Sequence, residues 1–323
     1  MEVWSFNVLS IFKKFALVTI LILASSTIHA QVFQHEMGQV DLKSTPIKVV
    51  SLDWVLTEHL LALGVTPYGI ADVKGYQSWV VKPILPESVI SIGSRREPNL
   101  ELLAQIKPDL ILMSDVMSPA FERLNAIAPT MVLSVYTAKH APLEAAKQQL
   151  LTLGKVLNRY EQAQQVITDF EQTIQSNKQK IEMENSSVSD VLFLRFIGDK
   201  HIRIHGENSL TGETMSAMGL KNAWTQPGNT WGFSSATIQQ LAQLQDAQVF
   251  YFGPLSAEDK KVLSSNPIWN VMKFVRDKNT YELPPIWTFG GLIAAQRLSD
   301  FVTEELIHSD SVNHQDRKMA DLE

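Results

Sequence analysis

Arg95 and Arg96 are the residues of this 323-residue chain best suited to holding an oxygen-rich guest. Each guanidinium offers five N–H donors in a planar fork and keeps its charge. They stand in Ser94-Arg-Arg-Glu97, directly before a helix that Asn99 can cap, and the amino end of that helix favours negative charge. The plain alternative is a solvated pair with one arginine bridged to Glu97. Trp231 is the second candidate. It lies in Pro227-Gly-Asn-Thr-Trp-Gly232, a turn-rich loop with no helix or strand face for an indole to fill. Its ring therefore either meets a ligand or caps the core. Trp54, Trp79 and Trp287 also fall at junctions between predicted elements. Four such indoles together could line an aromatic pocket, although any one alone more often packs.

Other chemistries find no support. The eight histidines form no His-Glu-x-x-His pattern, and His201 and His205 share a strand face without a carboxylate pair, so no metal site is assigned. There is no Gly-x-Ser-x-Gly elbow, P-loop or dinucleotide fingerprint, and no catalytic residue is assigned. The absence of cysteine excludes disulfides, a catalytic thiol, iron–sulfur ligation and a lipid-modified cysteine. A net charge of −6 suits neither nucleic acid nor an anionic membrane. Hydrophobic content of 45% with 19% charged residues is that of a globular protein, and the length suits two domains.

The elements that would position these residues repeat. Asn99 caps a predicted helix with the stripe Leu100, Leu103 and Ile106; Pro108 stops it, and Asp109–Met113 reads as a strand buried on both faces. A weaker copy follows 138 residues later. Thr237 stands where Asn99 stands, Gln240 completes a capping box, Leu-Ala-Gln of 103–105 reappears at 241–243, and a strand follows at 247–252. The pattern predicts two α/β lobes with central, mostly parallel sheets. A long α-helix spans them, and a ligand cleft lies between, lined by the loop before each copied helix.

Residues 1–30 read as a signal peptide: Lys13 and Lys14, an apolar run over 15–24, then small residues with cleavage near Ala30. The expected organisation continues with a first lobe over 31–141, a helical segment over 142–183 broken near Asn158, a second lobe over 184–308 and a polar, disordered tail over 309–323. Predicted strands begin at Ile47, and predicted helices include 54–63, 118–127, 210–218 and 292–306. Such a protein is exported to the periplasm.

Several segments are similar to one family. Ser51-Leu-Asp-Trp-Val-Leu-Thr-Glu-His-Leu-Leu-Ala-Leu-Gly64, Pro67–Asp72, Gly93-Ser-Arg-Arg-Glu-Pro-Asn-Leu-Glu-Leu-Leu103 and Asn229-Thr-Trp-Gly232 resemble the periplasmic iron(III)-hydroxamate siderophore-binding proteins of ABC importers, in the helical-backbone class. The resemblance implies a ferric siderophore as ligand, with Fe(III) carried inside it and no cofactor held by protein ligands. It also implies an inner-membrane permease dimer with its ATPase as partner, a monomeric receptor, and little hinge motion. By position, Arg95 donates to hydroxamate oxygens, and Trp54, Trp79, Trp231 and Trp287 line the cleft. Asn229 reaches the ligand through water, and Glu122 docks on the permease. The family's donating tyrosine falls at Met117, leaving Arg96 as a substitute donor, and Gln239 or Gln240 replaces the second-lobe docking carboxylate. Two other readings stay open: a binder of haem or a corrinoid on the same fold, and an exported hydrolase.

Overall fold

The structure, a computed structural model, describes residues 31–184, 190–198 and 200–320, with 309–320 as backbone only. The expected signal peptide over 1–30 lies outside the described residues, as do 185–189 of the predicted polar turn.

The described residues open with a hairpin that the sequence reading missed, β1 (Gln31–His35) and β2 (Gly38–Leu42), joined through Gly38 at φ +130°. Val40 and Leu42 alternate with exposed neighbours and enter the core. The first lobe follows as β3 (Val49–Ser51), α1 (Trp54–Ala62), β4 (Gly69–Ile70), β5 (Ile90–Ser91), α2 (Leu100–Ile106), β6 (Leu110–Met113), α3 (Phe121–Asn125) and β7 (Thr130–Val132). Its five strands run parallel in the order β5-β4-β3-β6-β7. Asn99 caps α2 by accepting from Leu102 N at 2.9 Å. Residues Leu110–Met113 are buried throughout, Leu110 and Leu112 in one cluster and Ile111 and Met113 in another, as a two-sided strand requires. The helix predicted over 118–127 is instead a 3-10 segment, Asp115–Ala120, followed by α3.

The connecting segment is two helices, α4 (Pro142–Val156) and α5 (Tyr160–Glu184), separated by Asn158 in the left-handed region at φ +53°. At 1.5 Å per residue α5 is roughly 37 Å long. It buries Ala163, Phe170, Ile174, Asn177 and Ile181 on one stripe.

The second lobe contains β8 (Val191–Ile197), β9 (His201–His205), α6 (Leu210–Ala217), β10 (Phe233–Thr237), β11 (Gln248–Phe252), α7 (Ala257–Ser264), β12 (Thr280–Leu283) and α8 (Leu292–Ala320). Its sheet order is β10-β9-β8-β11-β12; β8, β11 and β12 are parallel and β8, β9 and β10 antiparallel. The copied strands hold equivalent places, β6 between β3 and β7 and β11 between β8 and β12. The second copied helix is a 3-10 segment, Ile238–Gln243, closed by the predicted capping box of Thr237 and Gln240. It follows strand β10 directly, so there is no loop before it to line a cleft. The tail also departs from expectation. Helix α8 continues to Ala320 through 309–320, a stretch without Pro or Gly to stop it.

One apolar cluster runs without interruption from Val49, Leu110 and Leu112 of the first sheet, through Leu150, Leu153 and Phe170 of α4 and α5, to Phe193 and Phe250 of the second sheet. The lobes are therefore joined by core packing as well as by chain. Polar contacts add to it. Asn177 Nδ2 donates to Asp300 Oδ1 at 2.7 Å. The Arg297 guanidinium donates to the carbonyls of Val80 and Pro285. Glu58 Oε1 of α1 accepts from the backbone N–H groups of Gly291, Ile293 and Ala294 at the start of α8.

Candidate functional site

Arg95 sits in a loop whose shape is fixed by its own backbone. Gly93 (φ +88°) bridges to Pro98, and a Cβ there would meet Glu97 O at 2.9 Å. Ser94 Oγ accepts from the N–H of Glu97. This closed turn holds the Arg95 guanidinium 3.7 Å from the centre of the Trp54 ring and 5.2 Å from that of Trp287. Trp54 is itself fixed: its Nε1 donates to Ala71 O at 3.1 Å, and its ring meets Trp287 edge-on at 4.9 Å. Burial lowers the Arg95 pKa, with Asp53 and Asp72 opposing the shift. Among the described residues the guanidinium makes no hydrogen bond or ion pair, so its donors face the space in front of it.

That space is a cavity of about 300 Å³ between the lobes, at the small end of the range for ligand pockets. First-lobe residues on its wall include Asp53, Arg95, Ser114, Met117, Ser134 and Tyr136; second-lobe residues are Arg203, Trp231, Phe233, Trp287 and Phe289. Asp53 caps α1, accepting from Val55 N with Oδ1 and from Ser114 Oγ with Oδ2. Ser134 is held from behind by the missed hairpin. Glu36 accepts from both its N–H and its hydroxyl, and Ser134 Oγ in turn accepts from Asp115 N.

The second-lobe wall is aromatic. Trp231 is 36% exposed and stacks on Tyr136 of the first lobe, ring centres 5.4 Å apart at 26°. Phe289 meets Tyr136, Trp231 and Trp287 edge-on at 5.2–5.6 Å. The Tyr136 hydroxyl donates to Gly290 O at 3.1 Å, which pins this side chain across the lobe boundary, and burial pushes its pKa well up.

Of the residues singled out from sequence, Arg95, Trp231, Trp287 and Met117 border this cavity. Trp54 does not. It is 2% exposed and serves as the platform beneath Arg95, because the first residue of α1 faces its own lobe's core. Asn229 is absent from the wall. Its Oδ1 accepts from the N–H groups of Trp231 and Phe233, so it builds the turn that presents Trp231. Trp79 stands outside the cavity, 40% exposed, with the Arg195 guanidinium over its ring. Arg96 is exposed and also off the wall, since the turn that points Arg95 inward points its neighbour outward; Arg203 is the second guanidinium there. Glu122 is exposed at the second position of α3, away from the cavity.

Sequence reasoning missed Asp53, Ser114, Ser134, Tyr136, Arg203, Phe233 and Phe289. For the first lobe a signal existed. Asp53, Arg95, Ser114, Ser134 and Tyr136 all lie just beyond the carboxyl ends of parallel strands β3, β5, β6 and β7, where open α/β sheets bind ligands.

Comparison with known proteins places this geometry in context. A family model described as periplasmic binding protein matches residues 49–286. The chain is similar to the iron(3+)-hydroxamate-binding protein FhuD of Escherichia coli (strain K12), 35% identical over 250 residues that cover 77% of this chain and 83% of that protein. Among solved structures, the siderophore-binding protein FhuD from Vibrio cholerae with Fe3+-Desferal bound matches with a TM-score of 0.78 and 30% identity, covering 82% of this chain and 99% of the other. The petrobactin-binding protein YclQ from Bacillus subtilis matches in fold, with a TM-score of 0.71 at 21% identity, over 86% of this chain and 99% of its own.

Proposed function

The chain belongs to the periplasmic binding protein family, and on that premise we propose that it captures a ferric hydroxamate-type siderophore in the periplasm and delivers it to an inner-membrane ABC importer. The observation that carries this reading is the Arg95 guanidinium, laid on Trp54 and aimed at a cavity whose opposite wall holds Trp231. In a tris-hydroxamate complex the six oxygens around Fe(III) carry no net charge with the metal. One arginine can donate to those oxygens, and indole and phenyl faces cover the carbon chain between them. The iron is cargo, held by the guest, and the protein contributes only outer contacts.

The roles follow from position. Arg95 donates to hydroxamate oxygen, Trp231 and Trp287 cover the guest, and Met117 fills the floor where a hydroxyl donor is missing. Asn229 and Trp54 act by holding Trp231 and Arg95. The receptor works as a monomer and carries out no chemistry on its ligand. Glu122 on the first lobe's outer surface contacts the permease dimer, whose ATPase drives import.

Titration of the purified protein with ferric desferrioxamine B, haem and cobalamin, read by tryptophan fluorescence, tests the reading. Saturable quenching by the ferric complex near micromolar concentration, about −8 kcal/mol, is expected. Quenching by haem or cobalamin alone would overturn it.

A further inference from the structure

A second cationic feature adjoins the cavity, and the receptor reading does not use it. Arg195 on β8 and Arg203 on β9 are direct partners across an antiparallel pair. Like charges placed opposite one another destabilise a sheet, so packing alone gives no reason for this pair. Among the described residues neither guanidinium forms an ion pair or a hydrogen bond, and each lies instead on aromatic rings. Arg203 is 4.8 Å from the centre of Phe233, and Arg195 is 5.7 Å from that of Phe252 and 5.1 Å from that of Trp79. Trp79 belongs to the first lobe, so the two lobes meet over Arg195.

Burial, and then the nearby Arg203, lower the Arg195 pKa to about 10, which leaves it charged at neutral pH. The next residue on that strand face, His205, stays neutral: burial first, then both arginines, hold its pKa at about 3. The result is two fixed positive charges on rigid strands, partly shielded from water and unpaired. Arg203 also borders the cavity in front of Arg95. The pair thus reaches from the cavity wall, at Arg203, towards Trp79 outside it.

We infer that Arg195 and Arg203 form an anion subsite that takes a carboxylate carried by the iron chelate in addition to its iron-binding oxygens. Guanidinium groups carried on adjacent strands can each donate to a carboxylate that comes between them, and charge-assisted bonds of this kind are the strong ones. The inference rests on the proposed receptor function and narrows its ligand class. The favoured guest is a hydroxamate chelate with an acidic arm, its iron centre against Arg95 and its arm against the strand pair.

The test compares ferric complexes that differ only at one chain end: desferrioxamine B, which ends in an ammonium group, its N-acetyl derivative, and its N-succinyl derivative, which ends in a carboxylate. The protein should bind the succinyl complex at least about tenfold more tightly than the acetyl complex, and Arg195→Gln should bring that ratio to within about twofold. Because both ligands are measured on the same protein, any general damage from the substitution cancels in the ratio. An acetyl-to-succinyl ratio near one in the unaltered protein, with both bound, overturns the subsite and leaves the receptor reading standing. A preference that survives Arg195→Gln overturns it as well. Failure of all three complexes to bind overturns the subsite together with the receptor reading.

Discussion

Replacing Arg95 by glutamine should weaken binding of a ferric hydroxamate by about 1.5–3 kcal/mol, the range for a hydrogen bond to a charged group. That is roughly a 10- to 150-fold rise in Kd. The structure argues for the upper half of that range. The guanidinium is already half-buried on Trp54 and has no protein acceptor among the described residues, so most of its desolvation precedes ligand arrival. Folding stability should respond differently. The contact with Trp54 contributes about 0.5–1 kcal/mol, and release of a partly buried charge offsets it, so the unfolding free energy should change by less than about 1 kcal/mol. Isothermal titration with ferric desferrioxamine B, alongside denaturant unfolding, separates the two effects. Arg95→Lys keeps the charge but loses the planar fork that stacks on indole, and should fall between glutamine and the parent. An affinity within twofold of the parent for Arg95→Gln at unchanged stability would refute the contact.

Trp231→Ala removes the ring stacked on Tyr136 and the exposed face of the second-lobe wall. It should weaken binding by about 1–2 kcal/mol, and a variant that loses stability but keeps its affinity would show that the indole only packs. Glu58 gives a pH prediction. Burial, opposed by the N–H groups of Ala294, Gly291 and Ile293 and by Arg297, raises its pKa from 4.5 to about 7. A carboxyl that binds its proton more tightly when folded contributes stability that is full below about pH 4.5 and lost as pH rises through about 7. The swing is on the order of 3 kcal/mol at 1.36 kcal/mol per unit. Glu58→Gln should remove it, so the stability difference between variant and parent should grow in the variant's favour from pH 4.5 to 7.5 in urea unfolding. A difference independent of pH would show that the group does not titrate in this window.

Much of this is legible in the sequence, for identifiable reasons. The parallel strands announced themselves through runs such as Leu110–Met113, apolar because both faces are covered. The turn-rich loop ending at Gly232 and the Asn99 and Thr237 caps marked a turn and two helix starts, and the site loops lie beside those points. What stayed hidden depends on long-range contact. The β1–β2 hairpin has little local signal, and its importance comes from Glu36 holding Ser134, 98 residues away. The role of Tyr136 depends on Trp231 and Gly290, on the far side of two helices. The Arg195–Arg203 pair exists only once the register of β8 against β9 is known. Trp54 and Trp79 stand out in the sequence, yet neither borders the cavity, since sequence gives position along the chain and not the direction of the ring.

The cleft is built to be in place before a guest arrives. A hinge protein would leave few contacts between its lobes, whereas here a single apolar cluster continues from one sheet through α4 and α5 to the other. Opening would break that packing, expose Leu150, Leu153 and Phe170, and detach Glu58 from the start of α8 and Tyr136 from Gly290. Each loss costs free energy, and packed cores resist continuous deformation. The site residues therefore sit on a frame whose ordering cost was met during folding, so less of the gross contact energy is lost on association. This also explains why Asn229, Trp54 and Glu36 matter without touching the cavity. In a preformed site, affinity resides as much in the groups that fix Trp231, Arg95 and Ser134 as in those residues themselves.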